Sequence, residues 1–298
     1  MKRLLLSMCG ILLTSVLTAQ TFPFEGLEYR IIDDNSVKVA QQNSSAISGT
    51  VNIPSAVTYN NNTYSVTAIG DYAFIGCSGL TSISIPNSIT SIGQEAFRSC
   101  SGLTSISIPN SVTSIGLGAF RSCSFVSVTI PNSVSSIGSH AFIKCRNLTS
   151  VTIPNSITSI DKYTFWGCSS LTSVKCLTAT PPSLDSSAFI GVCATCTLTV
   201  QCGTIDAYER SYWNTVFAGR ISEDTPFELN VSSSDITLGI VGISSGENCP
   251  EKVLTATPVS CYHFTAWNDG STDNPRTITV TQDTTFTANF ERNISRQE

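Results

Sequence analysis

Charged side chains are scarce in this chain, and the scarcity excludes several classes of protein. Only 12% of the 298 residues are Asp, Glu, Lys or Arg, and the formal net charge is −5, whereas an ordinary soluble domain carries about 25% charged residues. A nucleic-acid binder needs a clustered basic footprint, and a coiled coil needs charged flanking positions. Neither is present, so we expect no nucleic-acid partner. Ser, Thr and Asn supply the polar surface instead.

The N-terminus has the pattern of a secretory signal peptide. Lys2 and Arg3 precede the apolar run Leu4–Ala19, and a small-residue cleavage point follows Ala19. A lipid anchor at Cys9 is the alternative, but Ser7 and Met8 are a poor context for it. We therefore expect residues 1–19 to be removed, the protein to be exported to the cell surface or beyond, and the mature chain to have no membrane span.

A repeat of about 23 residues fills the middle of the chain. Its phenylalanine marker recurs at intervals of 23, 23, 22, 23 and 24 residues, at Phe74, Phe97, Phe120, Phe142, Phe165 and Phe189. Its proline marker recurs at Pro86, Pro109, Pro131 and Pro154. Such a period indicates a solenoid of stacked supersecondary units.

The apolar positions of one unit, 80–102, predict how each coil is built. Ile83 and Ile85 are two residues apart, so on a strand they face the core while Ser84 faces outward. Pro86 cannot donate a backbone hydrogen bond and ends that strand. One coil buries too few side chains to fold alone, whereas stacked coils share a continuous core. The fold class is therefore mainly β, a solenoid of parallel strands.

The outward positions of these strands are the predicted binding face. They are mostly small hydroxyl residues, which offer many weak hydrogen bonds rather than the aromatic or Arg anchors of tight interfaces. The candidate binding residues form two columns. The first column is Ser84, Ser107, Thr129, Thr152 and Lys175, and the second, three residues earlier in each unit, is Thr81, Thr104, Thr149 and Thr172.

The pattern Leu-x-x-Ile-x-Ile-Pro, followed by Ile-Gly, Ala-Phe and Cys, resembles the treponemal or BspA-like class of leucine-rich repeat over residues 64–203. The resemblance implies a solenoid on secreted or surface proteins of bacteria and some parasitic protists, and it favours a bacterial surface location here. It also implies no catalytic residues and, in some members, adhesion to host matrix or other microbes. Asp161 in place of Gly, Thr164 in place of Ala, and Phe125 after a one-residue deletion depart from the pattern.

The ends of the array predict caps and one further module. Residues 20–63 suggest an N-terminal β cap, with a hairpin over 57–64 around an Asn-rich turn. We expect a helix over 204–217 to close the other end, so that about six coils and their C-terminal cap span 64–222. Residues 226–291 resemble the divergent InlB B-repeat, which implies a small β module used as a spacer or accessory interaction module.

The cysteines fall into two groups. Cys77, Cys100, Cys123, Cys145 and Cys168 recur at the repeat period, which predicts a ladder of buried free thiols. Near the solenoid end, Cys176, Cys193, Cys196 and Cys202 predict at least one disulfide, and Cys249–Cys261 is a second candidate bridge. A zinc or redox site at Cys193, Cys196 and Cys202 is the alternative, but neither a paired CxxC nor a nearby His supports it.

The sequence contains no recognisable catalytic or cofactor motif. His140 and His263 lie in different modules, and we expect both at the surface. Asp269 and Asp273 suggest an ordinary turn, with a weak calcium site as the alternative. We expect no catalytic residue, metal or cofactor. The leading hypothesis is a monomeric, adhesin-like protein that binds a protein or glycan partner. A structural spacer is the first alternative, and an enzyme with an unrecognised site is the second.

Overall fold

The computed structural model describes residues 20–224, 229–245, 251–280 and 283–293. The predicted signal peptide, 1–19, lies outside the described residues. So does Cys249.

The chain begins with short strands that lead into the repeats. They are β1 (Thr21–Phe24), β2 (Leu27–Ile31), β3 (Ser36–Val39), β4 (Ser48–Asn52), β5 (Ala56–Tyr59) and β6 (Asn62–Ile69). Strands β1, β2 and β3 form an antiparallel meander, and β3 pairs in parallel with β6. The predicted hairpin is confirmed as β5–β6, and its turn residues Asn60 and Asn61 have φ of 50° and 65°, which Asn tolerates better than most residues. The meander continues into the first coil of the solenoid.

Two stacks of parallel strands build the solenoid. The first continues from β6 through β8 (Ser91–Ile92), β9 (Ser114–Ile115) and β11 (Ser136–Ile137), and it resumes as β13 (Ser159–Ile160) and β15 (Ser183–Leu184). The second contains β7 (Gly79–Ser84), β10 (Ser127–Thr129), β12 (Ser150–Ile153), β14 (Ser173–Cys176), β16 (Thr197–Gln201) and β17 (Ile221–Asp224). Its neighbours keep the same register, so equivalent repeat positions form straight columns.

The repeated phenylalanines stack inside the solenoid, and each coil is named below by its phenylalanine. Ring centroids of neighbouring coils are 5.3 Å apart for Phe74 and Phe97 and 5.5 Å apart for Phe97 and Phe120. The stacking continues through Phe142 and Phe165 to Phe189, and all six rings are buried. The parallel-strand solenoid predicted from the period is thus confirmed.

The first strand stack is interrupted between the Phe142 and Phe165 coils. The glycines that follow β9 and β11 lie against the preceding coil. A Cβ at Gly116 would be 2.6 Å from the carbonyl carbon of Gly93, and one at Gly138 would be 2.5 Å from the backbone nitrogen of Leu117. Asp161 occupies the next equivalent position and carries a Cβ. Strand β13 pairs with β15 and not with β11, so the break in the first strand stack falls where the repeated glycine is lost.

The C-terminal end of the solenoid is closed by two short helices rather than the single predicted one. They are α1 (Ile205–Glu209) and α2 (Tyr212–Phe217). Between them Ser211 is extended (φ −99°, ψ 173°), and its hydroxyl accepts the backbone N–H of Trp213 at 3.2 Å. A serine cap of this kind begins a new helix, which is why the helical stretch is divided. Trp213 and Phe217 pack on the ring of Phe189 and cover the last coil.

The remaining described strands form a separate β module. They are β18 (Leu229–Ser233), β19 (Gly239–Ser245), β20 (Glu251–Pro258), β21 (Tyr262–Trp267), β22 (Arg276–Thr279) and β23 (Thr284–Arg292). They form two three-stranded sheets, β18–β23–β21 and β19–β20–β22. Leu254, Trp267 and Phe290 belong to its own buried cluster.

Candidate functional site

The second strand stack presents the predicted binding residues as a column. Parallel pairing places Thr129 beside Thr152 and Thr152 beside Lys175, and an isolated bridge joins Ser107 to Thr129. Neighbouring strands lie about 4.8 Å apart, so these side chains form an evenly spaced row. The row continues through Thr199 on β16 and Ser222 on β17, two positions that were not predicted from the sequence. Strand β17 follows the closing helices and lies outside the repeat pattern.

Ser84 is not continuous with that row. Strand β7 pairs with β4, where Ser84 lies beside Asn52, and the two strands form a sheet of their own. The structure therefore brings four of the five predicted positions into one ladder and leaves Ser84 across a gap from Ser107. A depression of about 500 Å³ lies at this gap, with Ser84, Ile85 and Ser107 among its lining residues.

The second predicted column is occupied partly by internal hydrogen bonds. The Thr149 hydroxyl donates to the carbonyl oxygen of Val126 at 3.1 Å, and the Thr172 hydroxyl donates to that of Thr149 at 3.2 Å. These hydrogen bonds connect neighbouring coils and use the hydrogen atoms of both hydroxyl groups. The two hydroxyl oxygens therefore remain available to a ligand mainly as acceptors. Thr81 and Thr104 are exposed at equivalent positions.

Lys175 is neutralised by a partner that the sequence pattern did not reveal. Its Nζ lies 2.5 Å from Oδ2 of Asp224 on β17, two strands away. Both side chains are about 40% exposed, so the pair contributes little to stability. It nonetheless removes the isolated positive charge from the predicted face.

A further outward column was missed by the sequence interpretation. On each strand the serine two residues before the first column also faces solvent, as the alternation of a strand requires. These serines are Ser82, Ser105, Ser127, Ser150 and Ser173. Together with the two predicted columns they form a surface that we call the strand face, which is broad, hydroxyl-rich and almost uncharged.

The repeated cysteines are confirmed as buried free thiols. The Cys100 thiol donates to the carbonyl oxygen of Phe74 at 3.0 Å, and Cys123, Cys145 and Cys168 make the same contact with the preceding coil. Burial raises the pKa of Cys100 to about 12. The thiols therefore stay protonated at neutral pH and act as hydrogen-bond donors of the core.

The predictions for the other cysteines were partly wrong. Cys176, Cys193 and Cys196 are free and Cys202 is disulfide-bonded, so no bridge forms among these four. Cys261 is free, which contradicts the Cys249–Cys261 prediction. Pairs of this kind depend on where separate loops end up in space, and cysteine spacing does not encode that.

The environments of Cys193 and Cys196 differ. Hydrogen bonds from the hydroxyl and backbone N–H of Thr195 lower the pKa of Cys193, while burial raises that of Cys196 to about 11. In the described part of the chain, no three His, Cys, Asp or Glu side chains are grouped so that they could hold a metal ion.

The remaining candidates for chemistry lie apart from one another. His140 is half-buried in the solenoid beside the ring of Tyr163, which corrects the expectation of a surface position, and His263 is exposed in the C-terminal module. Asp269 accepts a hydrogen bond from Arg276 at 2.8 Å and one from the backbone N–H of Ser271 at 3.2 Å, as in an ordinary turn. The described residues contain no helix of the length and apolar character needed to cross a membrane.

Comparison with known families matches both regions of the chain. Residues 67–197 match the BspA type leucine-rich repeat region in six copies, and residues 241–294 match the divergent InlB B-repeat domain. No curated protein matches the chain.

Several solved structures are similar to this one. A leucine-rich repeat protein from Bacteroides ovatus is 23% identical, with a TM-score of 0.43 and 70% of each chain covered. The T. pallidum leucine-rich repeat protein is 25% identical, with a TM-score of 0.46 and 58% of this chain and 89% of that chain covered. A leucine-rich cell surface protein from Faecalibacterium prausnitzii is 18% identical, with a TM-score of 0.29 and 68% and 77% covered. The chain therefore contains a BspA type leucine-rich repeat region over residues 67–197 and a divergent InlB B-repeat domain over residues 241–294.

Proposed function

We propose that this protein is a non-catalytic binding protein of the bacterial cell surface, which recognises a protein or glycan partner through the strand face. The observation that carries the proposal is the in-register row from Ser107 to Ser222 on one stack of strands. A rigid row of hydroxyls at strand spacing suits a partner that makes many weak, repeated hydrogen bonds. The match to the BspA type repeat region supports the surface location.

A structural spacer is the alternative that the same features allow. A face without charge or aromatic anchors could simply keep the solenoid hydrated while it holds another module away from the cell. The two functions differ in whether the strand face must remain chemically intact.

The test is the binding of the purified chain to an array of matrix proteins and glycans. A variant in which Ser84, Ser107, Thr129 and Thr152 are replaced by Asp adds four negative charges to the strand face. We expect it to lose at least about tenfold in affinity for any partner that saturates, which corresponds to about 1.4 kcal/mol. The substituted side chains are exposed or half-buried.

The matched control replaces Thr90, Thr113, Ser135 and Thr158 by Asp, which adds the same charge to exposed positions beside the other strand stack. Thermal melting of both variants verifies that they fold. If both variants bind as the parent does, the strand face is not the binding surface. An array with no saturable partner favours the spacer.

A further inference from the structure

Residues 96–160 contain neither Asp nor Glu, although the chain as a whole has a net charge of −5. The same stretch contains four basic side chains, Arg98, Arg121, Lys144 and Arg146. The acidic character of the protein is therefore reversed over three coils of the solenoid.

The four basic residues lie at one corner of successive coils. Each follows the phenylalanine of its coil by one to four positions, and the stacked rings place these corners one above another. Arg98 is paired with Glu95 at 2.8 Å. Within the part of the chain that the structure describes, Arg121, Lys144 and Arg146 have no carboxylate partner.

A notch lies between the Phe120 and Phe142 coils at this corner, because the Phe120 coil is one residue short. In other coils the backbone N–H of the leucine bonds the carbonyl of the cysteine three residues earlier, as in Leu148 to Cys145 at 3.2 Å. Phe125 follows Cys123 by only two residues and cannot make this bond. The Ser124 backbone N–H likewise has no acceptor among the described residues.

The notch has a volume of about 350 Å³ and is lined by hydrogen-bond donors and cations: Ser122, Cys123, Ser124, Lys144, Arg146 and Asn147. The side-chain amide of Asn147 spans it by donating to the carbonyl oxygen of Ser124 at 3.3 Å. The ammonium of Lys144 lies 5.2 Å from the ring centroid of Trp166, a contact that holds the charge beside the notch.

We propose that this notch binds the sulfate or carboxylate groups of an acidic polysaccharide, with Lys144 and Arg146 as the charged contacts and Arg121 nearby at the same corner. The proposal rests on the proposed function and names its partner class, since the notch directly precedes Thr149 on the strand face. Free cations and an unpaired N–H complement an anionic group. The adjacent hydroxyls and the Asn147 amide complement sugar hydroxyl groups.

A sugar fits these surroundings better than a nucleic acid does. Single-stranded nucleic acids bind by stacking bases on exposed aromatic rings. The aromatic ring beside the notch, Trp166, has Lys144 over it. An acidic protein segment would satisfy the cations but would leave the hydroxyl face without a matching partner, so it serves as the competing outcome of the test.

The test measures binding of the purified chain to chondroitin sulfate, hyaluronan, neutral dextran and poly-glutamate. The double variant Lys144→Gln, Arg146→Gln removes the two charges at the notch. The control Lys162→Gln, Arg210→Gln removes two exposed charges elsewhere on the solenoid. We expect the parent to bind the acidic polysaccharides and not dextran, the notch variant to lose at least about tenfold in affinity, and the control to change less than about twofold.

Three results would overturn the proposal: no binding of either acidic polysaccharide, equal losses in both double variants, or equally tight binding of poly-glutamate. The strand-face Asp variant is measured in parallel. If it binds the polysaccharides normally while the notch variant does not, the strand face fails and the notch stands. If only the strand-face variant loses binding, the notch proposal fails and the strand face stands as the binding surface.

Discussion

Single side chains in this solenoid are under strong constraint because each one meets its own counterpart in the next coil. The buried ring of Phe120 lies between those of Phe97 and Phe142 and also meets Phe125 edge-on at 5.9 Å. A ring enclosed on several sides cannot be truncated without leaving a cavity, because neighbouring coils are held at strand spacing and cannot collapse into it.

Phe120→Ala should therefore lower the free energy of unfolding by about 3–5 kcal/mol. The control is Leu117→Ala in the same coil, where the side chain is 43% exposed and the expected loss is below about 1 kcal/mol. Urea unfolding followed by circular dichroism measures both. A loss of unfolding free energy below about 1 kcal/mol for Phe120→Ala would contradict the assignment of this ring to the core.

Residue periodicity predicted this core well but predicted the binding residues less completely. The inward positions recur every coil, so one unit determines all of them. The partner of Lys175 is Asp224, which lies beyond the closing helices. The Thr149 hydroxyl donates to Val126 only because the preceding coil is stacked within hydrogen-bond distance. Contacts of this kind arise only once the coils are stacked.

At the scale of strands and helices, the break in the first strand stack falls where Asp161 replaces the repeated glycine. The backbone N–H groups of Gly93, Gly116 and Gly138 each donate to the carbonyl of the isoleucine in the preceding coil at 2.8 Å. Asp161 makes no such bond to Ile137. The departure at position 161 is visible in the sequence. The close approach of the glycine backbones, which singles out the Cβ of Asp161 for a test, is visible only in the structure.

Asp161→Gly should restore the pairing of β11 with β13. We expect the amide of residue 161 to gain a protection factor of about five- to tenfold in hydrogen exchange, because a net hydrogen bond is worth about 1 kcal/mol. Asp185→Gly is the control, since the Asp185 N–H already donates to Ile160 at 2.9 Å. Unchanged protection at residue 161 would mean that the Cβ does not cause the interruption.

For the whole molecule, the repeat period was sufficient to predict the solenoid because each coil contacts mainly its neighbours. The two ends and the C-terminal module have no such internal copies to compare. The closing helices depend on Ser211 for their division, and only the resemblance to a known module indicated the architecture beyond residue 226. Sequence therefore predicted the middle of the molecule in more detail than its ends.

The two buried clusters share no residue, and this predicts two unfolding transitions. One cluster runs from Phe22 to Phe217 and the other from Leu254 to Phe290. Regions with separate cores can fold as separate units. Trp213 is buried in the first and Trp267 in the second, and each indole N–H donates to a backbone carbonyl, at 2.8 and 2.9 Å respectively.

Trp267→Ala should therefore lower the melting temperature of the C-terminal module alone, and Trp213→Ala that of the solenoid alone. Each substitution should reduce the free energy of unfolding of its own region by about 3–5 kcal/mol. Calorimetry measures the transitions, and hydrogen exchange with mass spectrometry assigns each one to its residues. The two substitutions are matched in size, burial and hydrogen bonding, so each is the control for the other. A single transition shifted equally by both would mean that the solenoid and the module unfold as one cooperative unit, and the boundary near residue 226 would then mark no independent domain.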